Sequence, residues 1–211
     1  MLTRLVVVVS IFAALAACGQ EEAAPAASAE PAVQAAPEAA EPASQVVYDE
    51  TLDYFGVSFH VVATGAGSIG SVTITPSGLE SDNSAIIRET DGRVTLAEVN
   101  DLDADGSPEI YVYTQSAGSG SYGGLIAYAA NDRKSLSEIY LPPVAENPEV
   151  SQGYMGHDEF RVGEGALVQR FPVYREGDTN AEPTGGMRQL QYKLAKGEAG
   201  WVLRVDRVVE Y

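Results

Sequence analysis

Apolar residues alternate with polar ones in short runs along this chain, and that period of two limits its folding more than any other feature. Val57, Phe59 and Val61 stand against Ser58, His60 and Val62, Leu190, Tyr192 and Leu194 against Gln189, Gln191 and Lys193, and Trp201, Leu203 and Val205 against Val202, Arg204 and Asp206. Successive side chains of a strand point to opposite faces, so each run reads as a half-buried strand. Further strands are predicted near 71–75, 84–89, 93–99, 109–115, 123–130, 157–162 and 166–174, separated by turn signals such as Pro76-Ser77-Gly78, Asp91-Gly92 and Glu164-Gly165. No long amphipathic helix competes with them, and the stretch from Leu141-Pro142-Pro143 to Gly153 is a loop with room for one short helical turn. Short strands at this spacing predict an all-β domain, an antiparallel β-sandwich or flattened barrel of about 8 strands.

The strands occupy residues 47–211, a normal size for a single domain with its own core. Ahead of them, residues 1–17 have a basic start at Arg4, an apolar stretch from Leu5 to Leu15 and small residues before Cys18, the architecture of a secretory leader too short to span a bilayer. Leu15-Ala16-Ala17-Cys18 matches a bacterial lipobox, which makes Cys18, the single cysteine of the chain, the expected site of lipidation. Several acyl chains on one residue give stable anchoring. Gly19 stands where an aspartate would favour retention at the inner membrane, so the expected address is the periplasmic face of the outer membrane of a Gram-negative cell. Residues 18–46 are nearly all Ala, Pro and Glu after the cysteine, a composition that cannot bury enough apolar surface to offset ordering and that reads as a disordered linker. With no second cysteine there is no disulfide, and stability must come from packing.

The formal net charge is −17. A field of that sign disfavours nucleic acid and bare anionic membrane, and it suits a cationic protein or a divalent cation. A cation has an obvious place to go. In Asp101-Leu102-Asp103-Ala104-Asp105-Gly106 three carboxylates stand two residues apart before a glycine that permits a sharp turn, so Asp101, Asp103 and Asp105 are the candidate ligands of a Ca²⁺ ion. An EF-hand would need a glutamate where Val112 stands, so this resembles the acidic turns that introduce strands in extracellular β proteins. Without metal, such a turn can be held by carboxylate-to-backbone hydrogen bonds.

Enzyme chemistry finds little footing. His60 and His157 are too few and too separate for a zinc site, Asp158 and Glu159 would face opposite ways on one strand, and Ser119-Gly120-Ser121 lacks the strand-to-helix setting of a nucleophile elbow. No catalytic residue is assigned. The run from Ser116 to Gly124 instead resembles a projecting insert, with glycines that narrow its profile, serine hydroxyls that donate and accept, and Tyr122 as a stiff aromatic with a polar tip.

Several short motifs occur in a defined order: the acidic turn leading into Ile110-Tyr111-Val112, then Ser119-Gly120-Ser121-Tyr122-Gly123, Gly153-Tyr154-Met155-Gly156-His157-Asp158-Glu159-Phe160, Arg170-Phe171-Pro172-Val173-Tyr174 and Thr184-Gly185-Gly186-Met187-Arg188. Together they resemble the periplasmic inhibitors of invertebrate-type lysozymes, over roughly residues 95–195. The resemblance implies an all-β fold and a non-enzymatic function, in which a Ser-Gly-x-x-Tyr type loop enters the lysozyme cleft. It assigns Ser119 as hydroxyl donor to a catalytic carboxyl, Gly120 as the point of close backbone approach and Tyr122 as rim contact, with Ser121 beside them and Arg170, Tyr174 and Arg188 as supporting contacts. The expected partner is therefore an invertebrate-type lysozyme. A calcium-binding structural or adhesive envelope lipoprotein is the alternative, and an exposed edge strand would permit a homodimer.

Overall fold

The computed structural model describes residues 45–65, 67–198 and 200–211. The leader, Cys18 and nearly all of the Ala/Pro/Glu linker lie outside the described residues. Among the described residues twelve strands follow one another: β1 (Val46–Tyr54), β2 (Val57–Thr64), β3 (Ile69–Ser77), β4 (Ile86–Asp91), β5 (Arg93–Asn100), β6 (Glu109–Gln115), β7 (Gly123–Asn131), β8 (Ser135–Tyr140), β9 (Glu159–Gly163), β10 (Ala166–Pro172), β11 (Met187–Lys196) and β12 (Trp201–Glu210). A 3₁₀ turn, Val144–Glu146, sits in the loop where one short helical turn is expected. The chain is all-β.

Strands β1 to β4 form a four-stranded antiparallel meander, and β5 to β12 form an eight-stranded sheet in the order β5-β6-β7-β8-β12-β11-β10-β9. All pairings in the larger sheet are antiparallel except β8 with β12, which run parallel through Ile139 opposite Trp201 and Tyr140 opposite Val202. The sheet curls until its edge strands β5 and β9 meet. Among the described residues no backbone ladder joins those edges; Glu98 on β5 spans them, its Oε2 accepting from the backbone N–H of Val162 on β9 at 2.8 Å and from the Tyr113 hydroxyl at 2.6 Å. The result is a nearly closed barrel.

Strand β6 explains how one sheet serves two cores. Its apolar run is unbroken, and Ile110 and Val112 point to the four-stranded sheet, where they pack with Val57, Phe59, Val61, Val72 and Ile74. Tyr111 and Tyr113 point the other way, into the barrel, among Phe160, Leu167, Phe171, Leu190, Tyr192 and Leu203. Burial on both faces requires a continuous hydrophobic strand rather than an alternating one. Each fully buried side chain of this size contributes roughly 1.5–3 kcal/mol, so the two layers hold without a disulfide.

Sequence alternation misses two strands. β1 carries Asp49, Glu50 and Asp53 and is largely exposed, because it is the outer strand of the small sheet and its charges protect that edge. β8 shows no apolar face because its two aliphatic residues point opposite ways, Ile139 into the barrel core and Leu136 toward the core under the small sheet. β1 also begins at Val46, one residue inside the stretch that composition assigns to the linker. The strand expected over 157–162 starts later, at Glu159, because His157 has φ of 58° and cannot continue an extended ladder.

Candidate functional site

The run from Ser116 to Gly124 joins β6 to β7 at one end of the barrel, and it is a fixed structure. A turn closes through the Ser121 N–H donating to the Gly118 carbonyl at 2.9 Å. The base is clamped twice, by the Ser116 N–H to the Tyr122 carbonyl and by the Tyr122 N–H to the Ser116 hydroxyl, each at 2.9 Å. Ser119 is exposed at the tip and its hydroxyl has no partner among the described residues, while Ser121 is half-buried with φ of 41°. Tyr122 remains 47% exposed. The serine at the tip and the tyrosine beside it are therefore the groups that this loop presents.

A second loop, Gly153 to Asp158, holds the first. The His157 N–H donates to the Gly120 carbonyl at 2.7 Å, and Gly156, at φ of 89°, passes so close that a Cβ there would lie 2.2 Å from the same carbonyl oxygen. At Gly120 a Cβ would meet Tyr122 Cε2 at 2.4 Å, so the absence of a side chain lets the tyrosine ring fold over the backbone. That ring meets Tyr154 edge-on at 5.8 Å between centroids, and Tyr154 meets the buried Phe171 at 4.7 Å, so an aromatic chain runs from the exposed loop into the barrel core.

Asp158 is the buried anchor of both loops. Its Oδ2 accepts from the Gly123 N–H and the Tyr154 hydroxyl, both at 2.9 Å, and its Oδ1 accepts from Gln169 Nε2 at 2.6 Å, with the Tyr192 hydroxyl donating to Gln169 Oε1 at 2.6 Å. Burial pushes its carboxyl above the usual aspartate range, and the three donors pull in the opposite direction. Glu159, the next residue, is exposed, so the two carboxylates do not share a site.

Asn180 is the tie that sequence reasoning overlooks. Its side-chain amide donates to the Ser119 carbonyl, its Oδ1 lies 3.4 Å from His157 Nε2, and its own carbonyl accepts from the Tyr174 hydroxyl at 3.0 Å. It falls in an irregular stretch between two recognisable motifs, where no periodicity or spacing marks it. Tyr174 also stacks on His157 with centroids 6.3 Å apart, which places it in support of the loop. Arg188 supports at one remove: nearly buried, it donates to the Val150 and Gln152 carbonyls at 2.7 and 2.8 Å and pairs with Glu210, fixing the segment that leads into Gly153. Arg170 does not join them; it lies on β10 between the inward-facing Gln169 and Phe171, so its side chain leaves from the outer face of the barrel. Otherwise the motifs after the acidic turn converge on this one end.

The acidic turn folds differently from its sequence pattern. Asp101 accepts from the Asp105 and Gly106 N–H groups at 3.0 and 2.9 Å, and Asp105 accepts from the Ser107 N–H at 2.7 Å. The carboxylates brought together are those of Asp101, Asp103 and Glu109, with one oxygen of each within 4.8 Å of the others; Asp105 is turned away to its own backbone partner. Glu109 is 2% exposed. Burial pushes its carboxyl up to about 8; the Leu102 N–H works against that rise, and Asp103, Asp101 and Asp105 add to it.

Among the described residues no helix is long and apolar enough to cross a membrane. No family model, curated protein or solved structure matches this chain.

Proposed function

We propose that this protein is an inhibitor of a lysozyme, of the invertebrate type by the resemblance of its motifs, and that it acts by placing the Ser119 to Tyr122 loop in the enzyme's cleft. The observation that carries this reading is the bracing of that loop. A slack glycine-serine hairpin would lose conformational entropy on binding, whereas a loop whose Ser119 and Gly120 carbonyls are already tied to Asn180 and His157 has little left to lose.

The chemistry of the tip fits the proposed target. A glycosidase cleft holds a carboxylic acid and a carboxylate, for which the Ser119 hydroxyl is a hydrogen-bond donor, and it is shaped for a sugar chain, which a narrow loop edged by one tyrosine can imitate. Inhibition requires occupancy and no turnover. The net charge of −17 favours encounter with a cationic lysozyme. In this proposal lipidated Cys18 tethers the inhibitor at the periplasmic face of the outer membrane, where it protects peptidoglycan.

The test is a muramidase assay with invertebrate-type, chicken-type and goose-type lysozymes, titrated with the protein. Inhibition of the invertebrate-type enzyme is expected at stoichiometric to micromolar concentrations. If none of the three enzymes loses activity at micromolar excess, the proposal fails.

A further inference from the structure

Strand β12 is partnered on one side only over most of its length. Towards β11 it is paired from Trp201 to Glu210, with Asp206 the extra residue of a bulge, but towards β8 the ladder holds just Trp201 opposite Ile139 and Val202 opposite Tyr140. The chain after Tyr140 explains the stop. Continuing the parallel register would bring Leu141, Pro142 and Pro143 against Leu203, Arg204 and Val205, and two successive prolines have no N–H to give a ladder. From Leu203 to Glu210 the edge is therefore open, and among the described residues no backbone group of another strand or loop bonds to it. Met187 and Tyr211 exchange both of their backbone hydrogen bonds, so the alternation of an antiparallel ladder turns the N–H and C=O of Val208 away from β11, into that open side.

The open edge borders a groove of about 630 Å³. Val144 and Val150 form one wall, Val205 and Val208 the other, and Tyr192 and Leu203 of the barrel core lie at its base. Val208 is 43% exposed. On the outer face Arg204 stands directly opposite Lys193 in the ladder, and neither cation has a carboxylate within ion-pair distance among the described residues; Asp206 and Glu149, on the rim of the groove, pair with neither. Like charges set side by side are unfavourable and are relieved by an acid beside them.

We propose that this groove takes an extended peptide segment, which adds to the open edge of β12 as a further strand, its apolar residues turned into the groove and its alternate, acidic residues beside Arg204 and Lys193. Backbone pairing supplies the affinity in such an arrangement, and the alternating side chains select the partner. The occupant is a slender segment rather than the edge of a second barrel. The bulge at Asp206 and the loop that walls the groove both obstruct another copy's sheet edge, whose own loop would stand in the same place. The groove contains no residue of the serine loop, so it stands whether or not the protein inhibits a lysozyme.

The probe is the end-capped heptapeptide Thr-Val-Glu-Val-Glu-Val-Thr, titrated into the full chain and followed by NMR shifts and amide hydrogen exchange. The Val208 amide is expected to exchange quickly in the free chain and to slow by ~10-fold or more at saturating peptide. A peptide with lysine in place of each glutamate should bind about 10-fold more weakly, and Arg204→Glu, at an exposed position, should abolish that preference. N-methylation of alternate peptide residues should destroy binding in one phase and spare it in the other, because only one phase turns its N–H groups to β12. Absence of any shift at about 1 mM peptide, equal binding of the two methylated peptides, or an unchanged preference in Arg204→Glu would each overturn the proposal. Slow exchange of Val208 in the free chain would overturn it too, in favour of a second copy if the protection rises with protein concentration and of a segment of the same chain if it does not.

Discussion

The backbone N–H of His157 donates to the carbonyl oxygen of Gly120 at 2.7 Å, so the position of the serine loop is set by the loop that leads into β9. The approach depends on Gly156, whose φ of 89° and lack of a Cβ admit the Gly120 carbonyl. Gly156→Ala is expected to push the two loops apart, lowering stability by roughly 1–3 kcal/mol and weakening lysozyme inhibition. Gly118→Ala is the matched control, since a Cβ there meets nothing within 4 Å. Equal behaviour of the two variants in thermal unfolding and inhibition would contradict this account.

Ser119→Ala removes a hydroxyl that faces solvent, and Tyr122→Ala removes a half-exposed ring that also packs edge-on against Tyr154. Each should weaken inhibition by about 1–3 kcal/mol, the scale of a lost buried contact at an interface, with the Tm nearly unchanged for the serine. A large fall in Tm for Ser119→Ala would mean that the residue serves the turn rather than a partner.

Asn180→Ala separates rigidity from contact. Loss of its amide releases the Ser119 carbonyl while leaving the Ser119 and Tyr122 side chains in place. The expected outcome is weaker inhibition by about 1 kcal/mol, the net worth of one hydrogen bond, carried mainly by faster dissociation, with a small change in Tm. Association and dissociation rates measured against lysozyme decide the matter, and unchanged kinetics would count against a preorganised loop.

Glu109 gives stability a pH dependence of unusual sign. Its carboxyl is raised from an ordinary 4.5 to about 8 in the folded chain, so the fold holds the proton more tightly than the unfolded chain does. The stabilisation is fully present below the unfolded value and is lost as pH rises through the folded one. In EDTA, the native chain is expected to lose on the order of 2–4 kcal/mol between pH 5 and 8, and Glu109→Gln should flatten much of that slope. Denaturant midpoints across the range provide the measurement; the same slope in the glutamine variant would rule out Glu109 as its source.

The strands that face two ways or face a core were legible from pattern. Val57, Phe59 and Val61 alternate because one side of β2 packs on β6 and the other meets solvent, and Leu190 and Tyr192 alternate for the same reason in the barrel wall. What stayed hidden depends on partners distant in sequence. β1 has an apolar face broken by charge, with Glu50 standing between Tyr48 and Leu52, and Asn180 owes its place to hydrogen bonds with Ser119 and Tyr174 rather than to any local preference. Asp105 fits the ligand pattern in sequence, but its carboxylate is taken by the Ser107 N–H, while Glu109 reaches the cluster because the chain folds into β6 at that point. Spacing alone does not reveal which carboxylates of a turn converge.

The contact through Glu98 links residues 64 apart in sequence, and its consequence lies in the order of folding. Strands β5 to β8 and β9 to β12 are each built from neighbours that can zip as hairpins and a short crossing, whereas the seam can form only after both halves exist. One carboxylate fastens that seam where a ladder of backbone bonds would otherwise stand. The barrel therefore shuts last and unlatches first, and its amides along β5 and β9 should exchange with water by local breathing long before the hairpins themselves come apart.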